Sequence, residues 1–373
     1  MLPPDAKVVS VDDHIIEHAD VWQDRLPRKW RERGPLVRHE DGIPVWHYDG
    51  KRYPPLGLDA VAGDDPTEFK LDTKKFEAMR PGCYDPKHRL DDMDVDGIWA
   101  SLAFPQFPRF AGQTFLEGAD HELGLACVQA WNDFVLDEWC ATDPARLIPL
   151  SIVPMWSPEL CAAEIERTAA RGARAITFSE NPAALGLPSF WSDAWDPMLT
   201  ALEETDTSLC LHIGSSSKPI IPHADATTPL IISLMSLMTM ATLSDLVMSP
   251  VFVEHPRLKV VLAEGGIGWV PYMLERLQQV WEKHRHYAKV NVAKTPAECF
   301  RDNVWVCFIR DEAGVAARHE IGVDKILFEV DYPHSDTQWP NSRAGLEHAL
   351  RDVPDDEARL IAGDNARRLL RIP

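Results

Sequence analysis

The chain has 373 residues and a formal net charge of −20, with 58 acidic against 38 basic side chains. That balance excludes a nucleic-acid binder, which needs a basic face to neutralise phosphates, and equally a protein that adheres to anionic lipid. A hydrophobic share of 45% and a charged share of 26% describe a globular chain long enough to bury a large core.

The first ten residues hold no long apolar run, so no signal peptide is expected. The seven cysteines (Cys83, Cys127, Cys140, Cys161, Cys210, Cys299 and Cys307) are odd in number and form no C-x-x-C pair. They read as reduced thiols of a cytoplasmic protein. In chain order, the apolar run 7–11 is predicted as a strand. Residues 25–81 then break any alternation, with Gly34-Pro35, Ile43-Pro44, Pro54-Pro55 and Gly63-Asp64 marking loops, and read as an insertion. Further strands are predicted at 98–104, 147–153, 174–178, 209–213, 259–263, 304–309 and 326–330. Between them, 157–171 has apolar residues at helical spacing, Asp196-Pro197 opens a helix over 195–204, and 355–370 reads as the closing helix. The stretch 229–247 is the most membrane-like, but it carries Ser233, Ser236, Thr239, Thr242, Ser244 and Asp245 and is expected to be a buried or interface helix. Eight strands alternating with helical connections imply parallel β/α units closed into a barrel. The fold expected is an α/β, distorted (β/α)8 TIM barrel of the metal-dependent hydrolase type. It forms one domain over residues 1–373, with the insertion after strand 1 lying over the C-terminal face.

Ligand-type residues stand at or just past the ends of these strands: Asp12, Asp13 and His14 after the first, Glu180 after the fourth, His212 in the fifth, Glu264 after the sixth, Asp331 and His334 after the eighth. A barrel gathers those ends round one axis. Asp12 and His14 alternate along a strand and so share a face. His212 adds an imidazole and Asp331 a carboxylate, a donor set suited to Zn²⁺, Fe²⁺ or Mn²⁺. Each residue has an ordinary alternative: turn residues for Asp12, Asp13 and Asp331, packed histidines for His14 and His212, caps for Glu180 and Glu264. Several strands delivering ionisable groups to one mouth favour a site, because such groups are costly to bury without partners.

Seven stretches together carry a family resemblance: Val11-Asp12-Asp13-His14, Asp92-Met93-Asp94-Val95-Asp96-Gly97-Ile98, Trp195-Asp196-Pro197, Leu211-His212-Ile213-Gly214, Glu264-Gly265-Gly266-Ile267-Gly268-Trp269-Val270-Pro271, Asp331-Tyr332-Pro333-His334 and Gly363-Asp364-Asn365-Ala366. Through them the sequence resembles the amidohydrolase-related family, amidohydrolase 2, which includes aminocarboxymuconate-semialdehyde decarboxylase and related aromatic-acid decarboxylases. The resemblance implies a distorted TIM barrel and a divalent metal held by Asp12, His14, His212 and Asp331, with Asp331 handling a proton. It also implies a homodimer, to whose interface the Met-rich stretch 234–248 can contribute as readily as to an intra-chain core.

Two positions depart from that family's decarboxylases, which often carry His or Glu in place of Asp12 and, in several, His in place of Glu264. Superfamily members with two metals place a bridging carboxylate about where Glu180 stands. The first expectation is therefore a hydrolase with one or two ions, using metal-activated water on an amide, lactone, ester or thioester of a small organic substrate. In that reading Glu180 and Glu264 join the metal ligands, and Asp331 and Glu264 move protons. The alternative is a metal-dependent, non-oxidative decarboxylase of an aromatic or unsaturated acid, with Asp331 protonating the carbon; a third reading is a non-catalytic ligand-binding barrel. His334 is expected to touch substrate, Trp269 to line the pocket or pack a helix, and His255 to be structural. Trp46, His47, Arg52 and Tyr53 of the insertion are candidate lid contacts that shield the site from water.

Overall fold

The computed structural model of the chain describes residues 2–373. All eight predicted strands form. They begin with β1 (Val9–Ile15); the insertion adds β2 (Leu36–Glu40), β3 (Ile43–Tyr48) and β4 (Lys51–Tyr53). The main sheet continues with β5 (Ala100–Pro105), β6 (Leu147–Ile148), β7 (Leu150–Ile152), β8 (Ala175–Ser179), β9 (Ser208–His212), β10 (Val260–Ala263), β11 (Val304–Phe308) and β12 (Ile326–Phe328). Every ladder of the main sheet is parallel, in the order β6-β5-β1-β12-β11-β10-β9-β8-β7. Helices cover its outer face, which is why its strands read as nearly continuous apolar runs.

The two edges of this sheet, β6 and β7, are one run interrupted at Pro149, which has no N–H to give to a ladder. β6 pairs with β5 and β7 with β8. The nine segments therefore make eight staves, and the sheet returns on itself as the expected barrel. The side-chain amide of Asn132, on helix α2 (His121–Phe134), fastens this seam. Its Nδ2 donates to the Ile152 carbonyl and its Oδ1 accepts from the Ile152 N–H, both at 2.9 Å.

The helices start and stop by local chemistry. In α1 (Pro86–Asp96), Asp85 accepts from the Lys87 and His88 N–H groups, Pro86 needs no partner in the first turn, and Gly97 at φ 72° ends the helix. The closing helix runs from Asp355 to Leu370 through one wider turn. The insertion is more ordered than a loop-rich reading suggests. Asp41-Gly42 and Asp49-Gly50 all have positive φ, the two-residue turn that matches the twist of a hairpin, and join β2, β3 and β4 into an antiparallel sheet. Further along, the Val61 and Ala62 N–H groups donate to the Pro333 carbonyl at 2.9 and 3.1 Å. These bonds hold the insertion over the C-terminal mouth of the barrel.

The apolar stretch Thr228–Met248 is long and apolar enough to cross a membrane by length and composition, and a third of its most apolar window is buried. It divides into α3 (Thr228–Leu234), which buries no residue, and α4 (Ser236–Met248), which packs Met238, Leu243, Leu246 and Val247 into the protein.

Arg89 links three of these parts. It is 1% exposed; its Nε donates to the Gly82 carbonyl at 2.8 Å and its Nη2 to the His14 carbonyl at 2.6 Å, and its guanidinium lies 4.3 Å from the Tyr332 ring centre. It is also the cation that counters the buried Asp13 carboxylate, which burial pushes up to about 6 even with Arg89 and the Ser101, Tyr332 and Ser10 hydrogen bonds pulling the other way. Arg89→Met is expected to destabilise the fold by about 3–5 kcal/mol, the usual effect of removing one member of a buried charge pair. A thermal melt with an unchanged midpoint would contradict this.

Candidate metal centre

The register of β1 against β5 slips between Ser10 and Asp13. Slips of this kind re-aim side chains at the rims of barrels. Asp13 turns away from the axis: its carboxylate meets the Ser101 hydroxyl and accepts from the Tyr332 N–H at 3.0 Å. Asp12 and His14 share the inner face, as their alternation predicts. His14 Nε2 lies 3.5 Å from Asp12 Oδ1 and 3.2 Å from Asp331 Oδ1. His212 Nε2 lies 3.4 Å from Asp12 Oδ2 and 3.1 Å from Glu264 Oε2. The other His212 nitrogen, Nδ1, donates to the Ile213 carbonyl at 2.6 Å, which leaves the Nε2 lone pair facing inward. Glu264 and Asp331 have φ of 56° and 58°, a strained region for residues with side chains. Their backbones are pinned: the Glu264 N–H donates to Glu329 Oε2 at 3.0 Å and the Asp331 N–H to the Asp12 carbonyl at 2.8 Å.

Both oxygens of Asp12 and of Asp331, both nitrogens of His14 and Nε2 of His212 are buried without a hydrogen bond. Each such orphan costs about 1–3 kcal/mol, and a single divalent cation among them satisfies most of them together. Two clusters, Asp12–His14–His212 and His14–Asp331–His334, bring their donor atoms within 4.8 Å of one another. Imidazole nitrogen and carboxylate oxygen in this number fit a divalent metal. Burial and the neighbouring carboxylates push Asp12, Glu264 and Asp331 well above the usual carboxylate range. Burial, with the neighbouring histidines, holds His14 well below its ordinary value and His212 at about 3, so both rings are neutral at working pH.

Glu180 needs correction as a bridging ligand. Its carboxylate is taken by the Ser215 hydroxyl and, at 2.6 Å, by the Ser216 hydroxyl, and it lines a different cavity with Asn181 and Met238. Glu264 does join the cluster through His212. His334 stacks on His14 at 3.7 Å between ring centres, and its Nδ1 lies 3.0 Å from Asp331 Oδ1. Trp269 donates its indole N–H to the Gly265 carbonyl at 2.8 Å and packs against the core; it does not line the cavity above the metal donors. His47 and Arg52 both engage Glu40, at 2.9 and 3.0 Å, and are absent from that cavity. Trp46, Arg52 and Tyr53 instead line a separate chamber of about 290 Å³ under the insertion. Leu56, Leu58 and Asp59 are the insertion residues that reach the metal-side cavity. His255 lies between Asp196 and Glu203, at 3.5 and 3.4 Å, in a structural role.

Four residues of the site escape sequence reasoning. Glu329 lies two positions before Asp331, on the same face of the last stave; burial pushes it to about 7, and it accepts from Cys307 Sγ at 2.6 Å. That alternation is the signal that finds it. Phe110 packs on the His212 ring at 4.1 Å. Gln106 meets His334 Nε2 at 2.9 Å, and Asp59 receives the Gln106 amide. Gln106 and Phe110 lie on loops, and Asp59 in a single short helical turn, Gly57–Ala60, so none of the three belongs to a periodic pattern.

The barrel and its donors define the class, a metal-dependent enzyme of the amidohydrolase superfamily. Residues 17–372 match the family described as Amidohydrolase, and the chain belongs to it. It is 26% identical over 326 residues to a gamma-resorcylate decarboxylase of Rhizobium sp., covering 78% of this chain and 92% of that one. It is 27% identical over 263 residues to the enzyme of the same name from Polaromonas sp., covering 65% and 75%. Among solved structures it resembles an amidohydrolase of Mycobacterium avium subsp. paratuberculosis, with TM-score 0.79, 24% identity and coverage of 99% and 100%. It also resembles a 5-carboxyvanillate decarboxylase of Novosphingobium aromaticivorans crystallised with manganese, with TM-score 0.68, 18% identity and coverage of 99% and 97%.

Two measurements test the centre. A cation must displace the proton that Asp12 holds while the imidazoles give up none, so affinity for Mn²⁺ or Zn²⁺ should rise about tenfold per pH unit for each proton released; a chelator competition between about pH 6 and 8 reads this, and a pH-independent affinity would sink it. Elemental analysis should find the metal content lost in His212→Ala and unchanged in Glu180→Ala.

Proposed function

We propose that this enzyme is a divalent-metal-dependent, non-oxidative decarboxylase of an aromatic carboxylic acid, working with one ion. The observation that carries the reading is the cation-sized set of orphaned donors on Asp12, His14, His212 and Asp331, with Glu180 turned away from it. The decarboxylase relatives, matched over most of their length, support it over the hydrolytic expectation. The manganese in the Novosphingobium structure makes Mn²⁺ the first ion to try.

When bound, the cation would supply the positive charge that anchors an anionic substrate among the carboxylates of the site. Asp12 touches both imidazoles and provides the fixed negative charge of the site. Asp331 touches His14 and His334 and is the carboxyl left to carry a proton. It delivers that proton to the ring carbon bearing the carboxylate. The carbon–carbon bond then breaks, its electron pair restores the aromatic ring, and carbon dioxide leaves. Asp331 regains a proton from solvent by way of His334. Phe104 and Phe110, packed on the His212 ring at 5.0 and 4.1 Å, keep water from that side.

The hydrolytic reading stays second, on one observation: Glu264 places a carboxylate 3.1 Å from His212, where the family's decarboxylases often carry histidine. The Mn²⁺-loaded enzyme is expected to release carbon dioxide from 2,6-dihydroxybenzoate, and in D₂O to place one deuterium on the vacated carbon. Asp331→Asn should lower kcat by about 10²–10⁴. Ester, lactone or amide turnover without carbon dioxide would reverse the order of the two readings.

A further inference from the structure

The cavity above the donors is far larger than one aromatic ring. It measures about 640 Å³, whereas about 150 Å³ holds a benzene. Its floor is polar, with Asp331, Glu264 and His334. The wall facing them is aliphatic: Ile213 and Ile309 follow β9 and β11, Ile231, Ile232 and Met235 come from α3 and its end, and Leu56 comes from the insertion. Leu56 and Ile232 line the cavity while remaining 48% and 37% exposed, so the apolar wall continues out to solvent. Exposed apolar surface rimmed by polar groups marks a ligand groove. Helix α3 sharpens the point: four of its seven residues are Leu or Ile, yet none is buried. Core packing does not account for that composition; a ligand lying against it does.

The charges of the rim limit what such a ligand carries. Asp59 and Asp336 stand there, and among the described residues the one Lys or Arg lining the cavity, Arg310, is 73% exposed with the Glu312 carboxylate 3.4 Å away. A second carboxylate on the ligand meets two acids against one solvent-exposed guanidinium that already faces Glu312.

We propose that the substrate is a mono-acid whose ring bears an extended, uncharged apolar group, an alkyl chain or further fused rings, lying along the wall of Leu56, Ile231, Ile232 and Met235. Its carboxylate faces the metal donors. The acid end rests on the decarboxylase reading; the apolar wall is a binding property and is measured without turnover.

The probe is the Mn²⁺-loaded enzyme titrated calorimetrically with resorcinols whose ring substituent lengthens from methyl to hexyl. Kd is expected to fall about fourfold per methylene, the ratio that corresponds to burying one CH₂, until the chain reaches the rim. A terminal carboxylate on the longest chain should weaken binding. Ile231→Asp and Met235→Ser should each flatten the slope. A parent enzyme with no slope, or a slope kept in both variants, overturns the wall. Carbon dioxide release from the matching acids is read separately: a slope without release upholds the wall and overturns only the reaction, and release without a slope does the reverse.

Discussion

The structure depends on one electrostatic constraint. Asp12, His14, His212, Glu264 and Asp331 are packed within hydrogen-bonding distance of one another in a water-poor barrel mouth, and most of their inward atoms have no partner. Like charges this close, out of water, cannot all ionise. The crowding gives the barrel an appetite for a small, doubly charged cation, and burial keeps the imidazoles neutral for it. Everything else at this end of the molecule holds the donors in an arrangement they would leave if they were free.

That holding is done by the backbone. The register slip in β1 separates Asp12 and His14 from Asp13, which becomes a strut between β1, β5 and the chain after β12. Glu264 and Asp331 accept strained dihedrals because their N–H groups are fixed, the first by Glu329 and the second by β1 itself. Gly265 allows the loop after β10 to press on α4, since a Cβ there would lie 2.5 Å from Thr239 Cγ2. The donors therefore answer to one another through main-chain bonds, and moving one moves its neighbours.

Much of this is legible in the sequence for a simple reason: a parallel barrel buries both faces of each strand, so its strands stand out as apolar runs, and polar residues at their ends are conspicuous. Asp12, His14, His212 and Asp331 stand at such ends. Position at a strand end does not say which way a side chain turns, and Glu180 shows the limit, because Ser215 and Ser216, far along the chain, capture its carboxylate. Counting carboxylates at strand ends favours hydrolysis partly for the same reason, since the count registers Glu180 beside Asp12 and Glu264 without its orientation. The Asp-Gly pairs of the insertion are hairpin-turn signals set among prolines, and the prolines read as loop. Gln106 and Phe110 lie on loops, where no periodicity exists to read.

The seam at Pro149 gives the barrel an uneven stiffness. A ring of staves joined by full ladders resists widening equally at every point. This ring is a belt with a buckle: one rung is missing, and the Asn132 amide does the work of a strand edge. The buckled stave lies between β5 and β8, and neither it nor those two neighbours supplies a donor to the cation site. Local opening is easiest where hydrogen bonds are fewest. Breathing of the barrel is thereby directed to these three of the eight staves, away from those that carry the donors.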